Sequence, residues 1–128
     1  MSKKKQKLIP LTINRKRWAR GGKNGEAALL NRESNMCCLG FACRAIGFSK
    51  NDIKDEFSPK GLANISLSAC ERLDKLVVSG PDGNVWRNSE DTAKAIIIND
   101  SGDISDKMRE YRLKPILRRL GFDVKFTG

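Results

Sequence analysis

Apolar residues in this chain fall into short runs whose spacing alternates between helical and extended periods. The stretch around which the others are arranged is Asn35-Met36-Cys37-Cys38-Leu39-Gly40-Phe41-Ala42-Cys43-Arg44-Ala45-Ile46-Gly47-Phe48. Leu39, Ala42, Cys43 and Ile46 recur at the i, i+3, i+4, i+7 spacing of one helical face, and only Arg44 interrupts an otherwise apolar surface. Such a helix belongs in the middle of a fold. Asn35 is suited to cap its start, and Gly47 to close it in the left-handed conformation with Phe48 packed behind.

Around this helix the chain reads in order. Ile9–Thr12 is extended, because a residue preceding proline is pushed out of the helical region. Thr12 or Asn14 caps a short helix to about Arg20, anchored by Trp18 and stopped by Gly21-Gly22. Glu26–Leu30 reads as a short strand and Asn31–Ser34 as a turn. Ser49–Ile53 is a polar helical turn, and Glu56–Gly61 a loop. Leu67, Cys70, Leu73 and Leu76 give a helix between Ser66 and Leu76, with Cys70 as a small core residue. Two apolar runs, Val77-Val78 and Val85-Trp86, flank Gly80-Pro81-Asp82-Gly83 as a hairpin. Ser89 caps a helix through Ile98 that ends at Asn99-Asp100-Ser101-Gly102, where Gly102 suits a positive φ. From Ser105 a last helix carries Ile104, Met108, Tyr111, Leu113, Ile116, Leu117 and Leu120 as a stripe with an offset. Pro115 accounts for that offset as a kink or restart. Phe122–Phe126 alternates as a terminal strand.

These elements predict one α+β domain over residues 9–128. A short antiparallel sheet is packed by several helices around the central Cys-rich helix, and residues 1–8 form a flexible basic arm. At 128 residues the chain can bury a core without staples. No apolar run is long enough for a membrane span, and the basic N-terminus lacks the apolar segment of a secretory signal, so the cytoplasm is the expected location.

Charge changes the picture more. The net charge is +10, and residues 1–25 hold nine cations (Lys3, Lys4, Lys5, Lys7, Arg15, Lys16, Arg17, Arg20, Lys23) and no acid. Residues 26–100 sum to −2 and residues 101–128 to +3. A basic lobe on a nearly neutral body points to an anionic partner, either a nucleic acid or nucleoprotein or an acidic host protein. Lys3, Lys4, Lys5, Lys7, Arg15, Lys16, Arg17 and Arg20 are the candidate contacts. Trp18 among them could stack on a base, although a large aromatic is more often core.

The cysteines offer a second chemistry. A thiol at a helix start has its pKa lowered by the helix dipole, making Cys37 or Cys38 a candidate nucleophile with Asp100 as base. The chain has no histidine, which excludes a Cys-His pair. The plainer reading is three small buried side chains. Cys37, Cys38, Cys43 and distant Cys70 lack the paired spacing of a zinc site, so no metal is expected. No Walker A or Gly-x-Gly-x-x-Gly loop is present, so no nucleotide cofactor is expected. Nothing in the pattern sets an oligomeric state.

Met36-Cys37-Cys38-Leu39-Gly40, and later Ile98-Asn99-Asp100-Ser101-Gly102, resemble two motifs of small tailed-phage and prophage proteins. Those proteins carry a Cys-Cys-Leu-Gly helix after a strand and turn, then a Leu-Asn-Asp-x-Gly turn. Here Ile98 replaces the leucine. The resemblance runs from about Trp18 onward and implies a phage origin and a shared fold, not a mechanism. By class analogy it implies an accessory protein that binds and redirects or counters a host component. Two further readings stand beside this one: a pocket at the Cys37 helix start capturing a small phosphorylated host signal, and the thiol enzyme.

Overall fold

The computed structural model describes residues 7–63, 67–79 and 86–128. The fold is α+β. Strand β1 (Ile9–Asn14) leads into a single 3-10 turn at Arg15–Arg17, then a long irregular segment reaches helix α1 (Cys38–Ala45). Helix α2 (Lys50–Ile53) and a 3-10 turn at Pro59–Leu62 precede α3 (Leu67–Arg72), β2 (Val77–Ser79) and β3 (Trp86–Asn88). Helices α4 (Glu90–Asp100) and α5 (Asp106–Arg119) and strand β4 (Phe122–Thr127) complete the chain.

The strands form two separate pairs. β2 and β3 are the antiparallel hairpin that the two apolar runs predict, with Val78 opposite Arg87; its Gly80–Gly83 connection lies outside the described residues. The other pair corrects the expectation of one antiparallel sheet. β1 and β4 run parallel, with Leu11 opposite Val124 and Ile13 opposite Phe126. Parallel neighbours need a crossover between them, and here nearly the whole domain serves as that crossover. Leu11, Ile13, Phe122 and Val124 face inward and bury against α1 and α5.

Helix α1 lies at the centre as its pattern requires, with Cys38, Leu39, Ala42 and Cys43 fully buried. Its end follows the sequence closely. Gly47 (φ 105°) donates to the Arg44 carbonyl and Phe48 to the Cys43 carbonyl, the paired bonds of a left-handed helix stop. The start does not. The helix begins at Cys38, and Asn35 spends its side-chain amide on the Asn24 carbonyl. The cap comes from far along the chain: Asn99 Oδ1 accepts from the Cys38 N–H at 3.0 Å. Gly40 allows this helix to sit close, since a Cβ there would overlap the Leu29 carbonyl oxygen.

Several shorter readings are corrected too. Asn14 caps a 3-10 turn and not a helix to Arg20, because Trp18 turns into a bridge with Met36. Residues 26–30 form no strand; Leu30 makes a lone bridge to Lys54. Positive φ falls at Gly21 and Gly22 and not at Gly102. The predicted Ser49 turn is present as α2, with Ser49 and Asp52 capping each other. The side chain of Cys70 lies outside the described residues.

Helix α5 does not restart at Pro115. It runs continuously from Asp106 to Arg119. Pro115 lies on the exposed face of the helix. The offset has another origin. The buried stripe is Arg109, Leu113, Ile116, Leu117 and Leu120, a regular helical face whose first position is an arginine. Met108 and Tyr111, read as core, point outward.

Asn99 ties these elements together. Its Oδ1 also accepts from Trp18 Nε1 at 2.7 Å, and its Nδ2 donates to the Ala19 carbonyl at 3.0 Å and to Asp100 Oδ1 at 2.9 Å. Its own carbonyl accepts from the Gly21 N–H and from Arg109. Replacing Asn99 with alanine leaves the Trp18 and Cys38 donors and the Ala19 carbonyl buried without partners. At about 1–3 kcal/mol for each orphaned group, partly relieved by relaxation, the expected loss is about 3–5 kcal/mol. Urea unfolding measures it; a loss below about 1 kcal/mol would mean water or a rearrangement replaces the amide.

Asp106, the first residue of α5, gathers Arg20 at 3.1 Å, Lys23 at 2.9 Å and Arg109 at 3.5 Å. Hydrogen bonds from Lys23 and then Arg20 hold its carboxyl down at about 2 against the desolvation that opposes them. A depressed carboxyl contributes stability that is present above its usual value near 3.8 and lost as pH falls towards about 2. Asp106→Asn should therefore cost up to about 1–2 kcal/mol at neutral pH. It should also flatten the acid limb of the stability curve between those two pH values. An unchanged acid limb would show that the carboxyl is not so depressed.

Candidate functional site

The predicted basic lobe divides into structural and free cations. Lys3, Lys4 and Lys5 lie outside the described residues. Arg20 is 7% exposed, so it is core. Its Nη1 donates to the Arg15 and Trp18 carbonyls, and its guanidinium lies 4.7 Å over the Trp18 ring. Trp18 itself is fully buried, with its N–H committed to Asn99, so it is not available to stack on a base. Arg15 grips Glu110 with two bonds of 2.8 Å. Lys16, Arg17 and Lys7 remain exposed.

These pairings alter the charge of α5. Its two carboxylates, Asp106 and Glu110, are both taken by cations of the 15–23 segment, joined at Asp106 by Arg109. Arg119 is held by Asp91 at 2.9 Å. Lys107, Arg112, Lys114 and Arg118 are left on the exposed side, without an ion pair among the described residues. Lys107, Tyr111, Lys114 and Arg118 follow i, i+4, i+7, i+11 spacing and so share one face.

That face runs into two adjoining concavities at the turn between α5 and β4. One, of about 250 Å³, is lined by Lys114, Pro115, Arg118, Phe122, Asp123 and Val124. The other, of about 90 Å³, includes Phe122 together with Lys7, Arg72, Lys75 and Asp74. Gly121 fixes the junction. Its carbonyl accepts from the Ile9 N–H, and a Cβ at this position would lie against the Lys75 side chain. Lys7, Arg72 and Lys75 on one concavity and Lys114 and Arg118 on the other thus come from three separate segments. Sequence reasoning missed Arg72 and Lys75 because acids flank them along the chain, and Lys114 and Arg118 because apolar positions separate them. The signal present was the excess of cations between Lys107 and Arg119.

The cysteine cluster assembles, but its environment opposes a thiolate. Cys37, Cys38, Asn99 and Asp100 line one recess of about 10 Å³, room for a water and not for a phosphorylated ligand. Burial pushes Cys37 up to about 11, against the pull of the Gly40 and Leu39 N–H groups. Cys38 is driven well above the usual thiol value by burial, then by its neighbour Cys37 and by Asp100. Burial also raises Asp100. The carboxylate expected to act as base thus works against ionisation of the thiols beside it. Among the described residues no three His, Cys, Asp or Glu side chains cluster so as to hold a metal ion. No helix among them is long and apolar enough to cross a membrane.

No protein-family model, curated protein or solved structure matches this chain.

For the cysteines the expectation is inertness. Native protein at neutral pH should leave Cys37, Cys38 and Cys43 unalkylated until it is unfolded. Cys38→Ala should cost about 1–2 kcal/mol through a small cavity, and Cys38→Ser more, because it buries a hydroxyl. Fast modification of one of these thiols in the folded state, followed by mass spectrometry, would restore the nucleophile reading.

Proposed function

We propose that this is a small phage-encoded accessory protein that works by binding an anionic host partner, a nucleic acid, to redirect or counter a host process. The observation that carries the reading is the neutralisation of Asp106 and Glu110 by the 15–23 segment, which leaves the exposed face of α5 net positive. Lys7, Arg72, Lys75, Lys114 and Arg118 are the contacts, and Lys3, Lys4 and Lys5, preceding Lys7 in the chain, extend them. A polyanion suits such a surface because cations spread along a ribbon can each meet a phosphate. Arg15 and Arg20, counted as contacts from sequence, act indirectly by removing the negative charge of α5. The Cys-Cys-Leu-Gly and Asn-Asp-x-Gly motifs support the phage origin; their residues here hold the fold together.

Binding should fall steeply with salt, since each phosphate contact releases condensed counterion. For about five contacts the log–log slope should be roughly −4.5 on duplex and −3.5 on single strands. Lys114→Glu with Arg118→Glu should lower affinity at least tenfold and flatten the slope. Lys94→Glu, on the exposed side of α4 and paired with Glu90, should change neither. Negligible binding to DNA and RNA near about 50 mM salt would overturn the nucleic-acid reading. Capture of an acidic host protein by the same residues would replace it.

A further inference from the structure

Resting on that reading, we infer that the partner is single-stranded, laid along α5 with an unpaired base stacked on Tyr111. Among the described side chains the exposed aromatic rings are those of Tyr111, 76% exposed, and Phe57, 65% exposed; the side chain of Trp86 lies outside them. Their surroundings differ in sign. Phe57 borders a concavity shared with Glu26, Glu33 and Asp55, relieved only by Arg32. Tyr111 stands between Lys107 and Lys114 on its own helix face, with Arg112 beside it. An exposed ring flanked by unpaired cations is the arrangement that holds a strand by its phosphates and a base by its face.

Shape favours a single strand over a duplex. Lys107 to Arg118 spans eleven residues, about 16 Å of helix at 1.5 Å per residue. Beyond Arg118 the cations leave the helix axis: Lys114 and Arg118 line one concavity with Asp123, Lys7, Arg72 and Lys75 line a second with Asp74, and Phe122 belongs to both. A flexible strand can follow that change of direction, whereas a stiff duplex must be bent at a cost. In a duplex, moreover, the base faces are occupied by their neighbours, leaving Tyr111 nothing to stack on. The buried aromatic that the sequence offered for this role, Trp18, is replaced by one that sequence periodicity had assigned to the core.

The test uses the full-length protein and fluorescence anisotropy with a labelled oligothymidylate of about fifteen nucleotides, the matching oligouridylate, and a hairpin duplex. Wild type should prefer the single strands. Tyr111→Ala should weaken single-strand binding by roughly 5- to 150-fold, the range that one stacked base supplies. It should leave the salt slope and the duplex affinity unchanged. Tyr111→Phe, which keeps the ring, should bind as wild type does. Circular dichroism checks that the variants fold, as an exposed side chain predicts. Preference for duplex, equal loss on both forms, or no effect of Tyr111→Ala would overturn the inference while steep salt dependence kept the broader reading. Absence of binding to all three probes would sink both.

Discussion

The side-chain amide of Asn99 is the constraint on which the rest of this fold depends. A buried primary amide carries two donor and two acceptor positions, and each must be met inside the protein. Here all four are used, on Trp18, Cys38, Ala19 and Asp100. The amide thereby fixes three segments relative to one another: the crossing chain at 18–19, the start of α1 and the end of α4. Because Oδ1 serves both the indole N–H and the first N–H of α1, neither can shift without orphaning the other. Gly40 works in the same sense, bringing α1 against the Leu29 carbonyl more closely than any side chain would allow.

A second layer of order comes from arginines placed inside. Arg109 is 3% exposed and donates to the carbonyls of Ile98, Asn99, Ser101 and Ile104. It thus satisfies the end of α4 and the turn that follows. Arg20 does the same for the 15–18 turn, and Asp106 compensates both charges. Guanidinium suits this work because its planar fork reaches several carbonyls at once while keeping its charge. The cost is one exposed-type residue buried at each site, and Arg20 Nε has no hydrogen-bond partner among the described residues.

Local features were legible in the sequence: the central helix and its glycine stop, the Ser89 cap, the start of the last helix near Ser105, the α2 turn, the hairpin strands and the terminal strand. Each is decided by neighbours a few residues apart. What could not be read is set over long separations. The parallel β1–β4 pair joins the two ends of the domain, and the cap of α1 comes from Asn99. Hydrophobic periodicity also misled where a polar residue took a core position. With Arg109 counted as polar, the stripe of α5 shifts onto Met108 and Tyr111 and acquires an offset that Pro115 offers to explain. Restoring Arg109 to the core gives one regular buried face and turns Tyr111 outward. The candidate surface was half legible for the same reason: an excess of cations is visible in sequence, but which of them are spent on Asp106 and Glu110 is not.

The consequence is that fold and charge are arranged by one set of contacts. A basic tail would keep its attraction for polyanions even when unfolded, since its cations are adjacent in sequence. The surface at the α5–β4 turn is different. Lys7 is brought there by the strand pair, Lys75 by its passage over Gly121, and Lys114 and Arg118 by the helix whose register Arg109 sets. The neutralising cations Arg15, Arg20 and Lys23 are held near α5 by the β1–β4 pairing, which ends at Asn14, and by Asn99, which ties the 18–21 segment to α4. Loosening that amide would return Asp106 and Glu110 to solvent as free carboxylates beside Lys107 and Lys114. The electrostatic character of α5 is in this sense a product of the core.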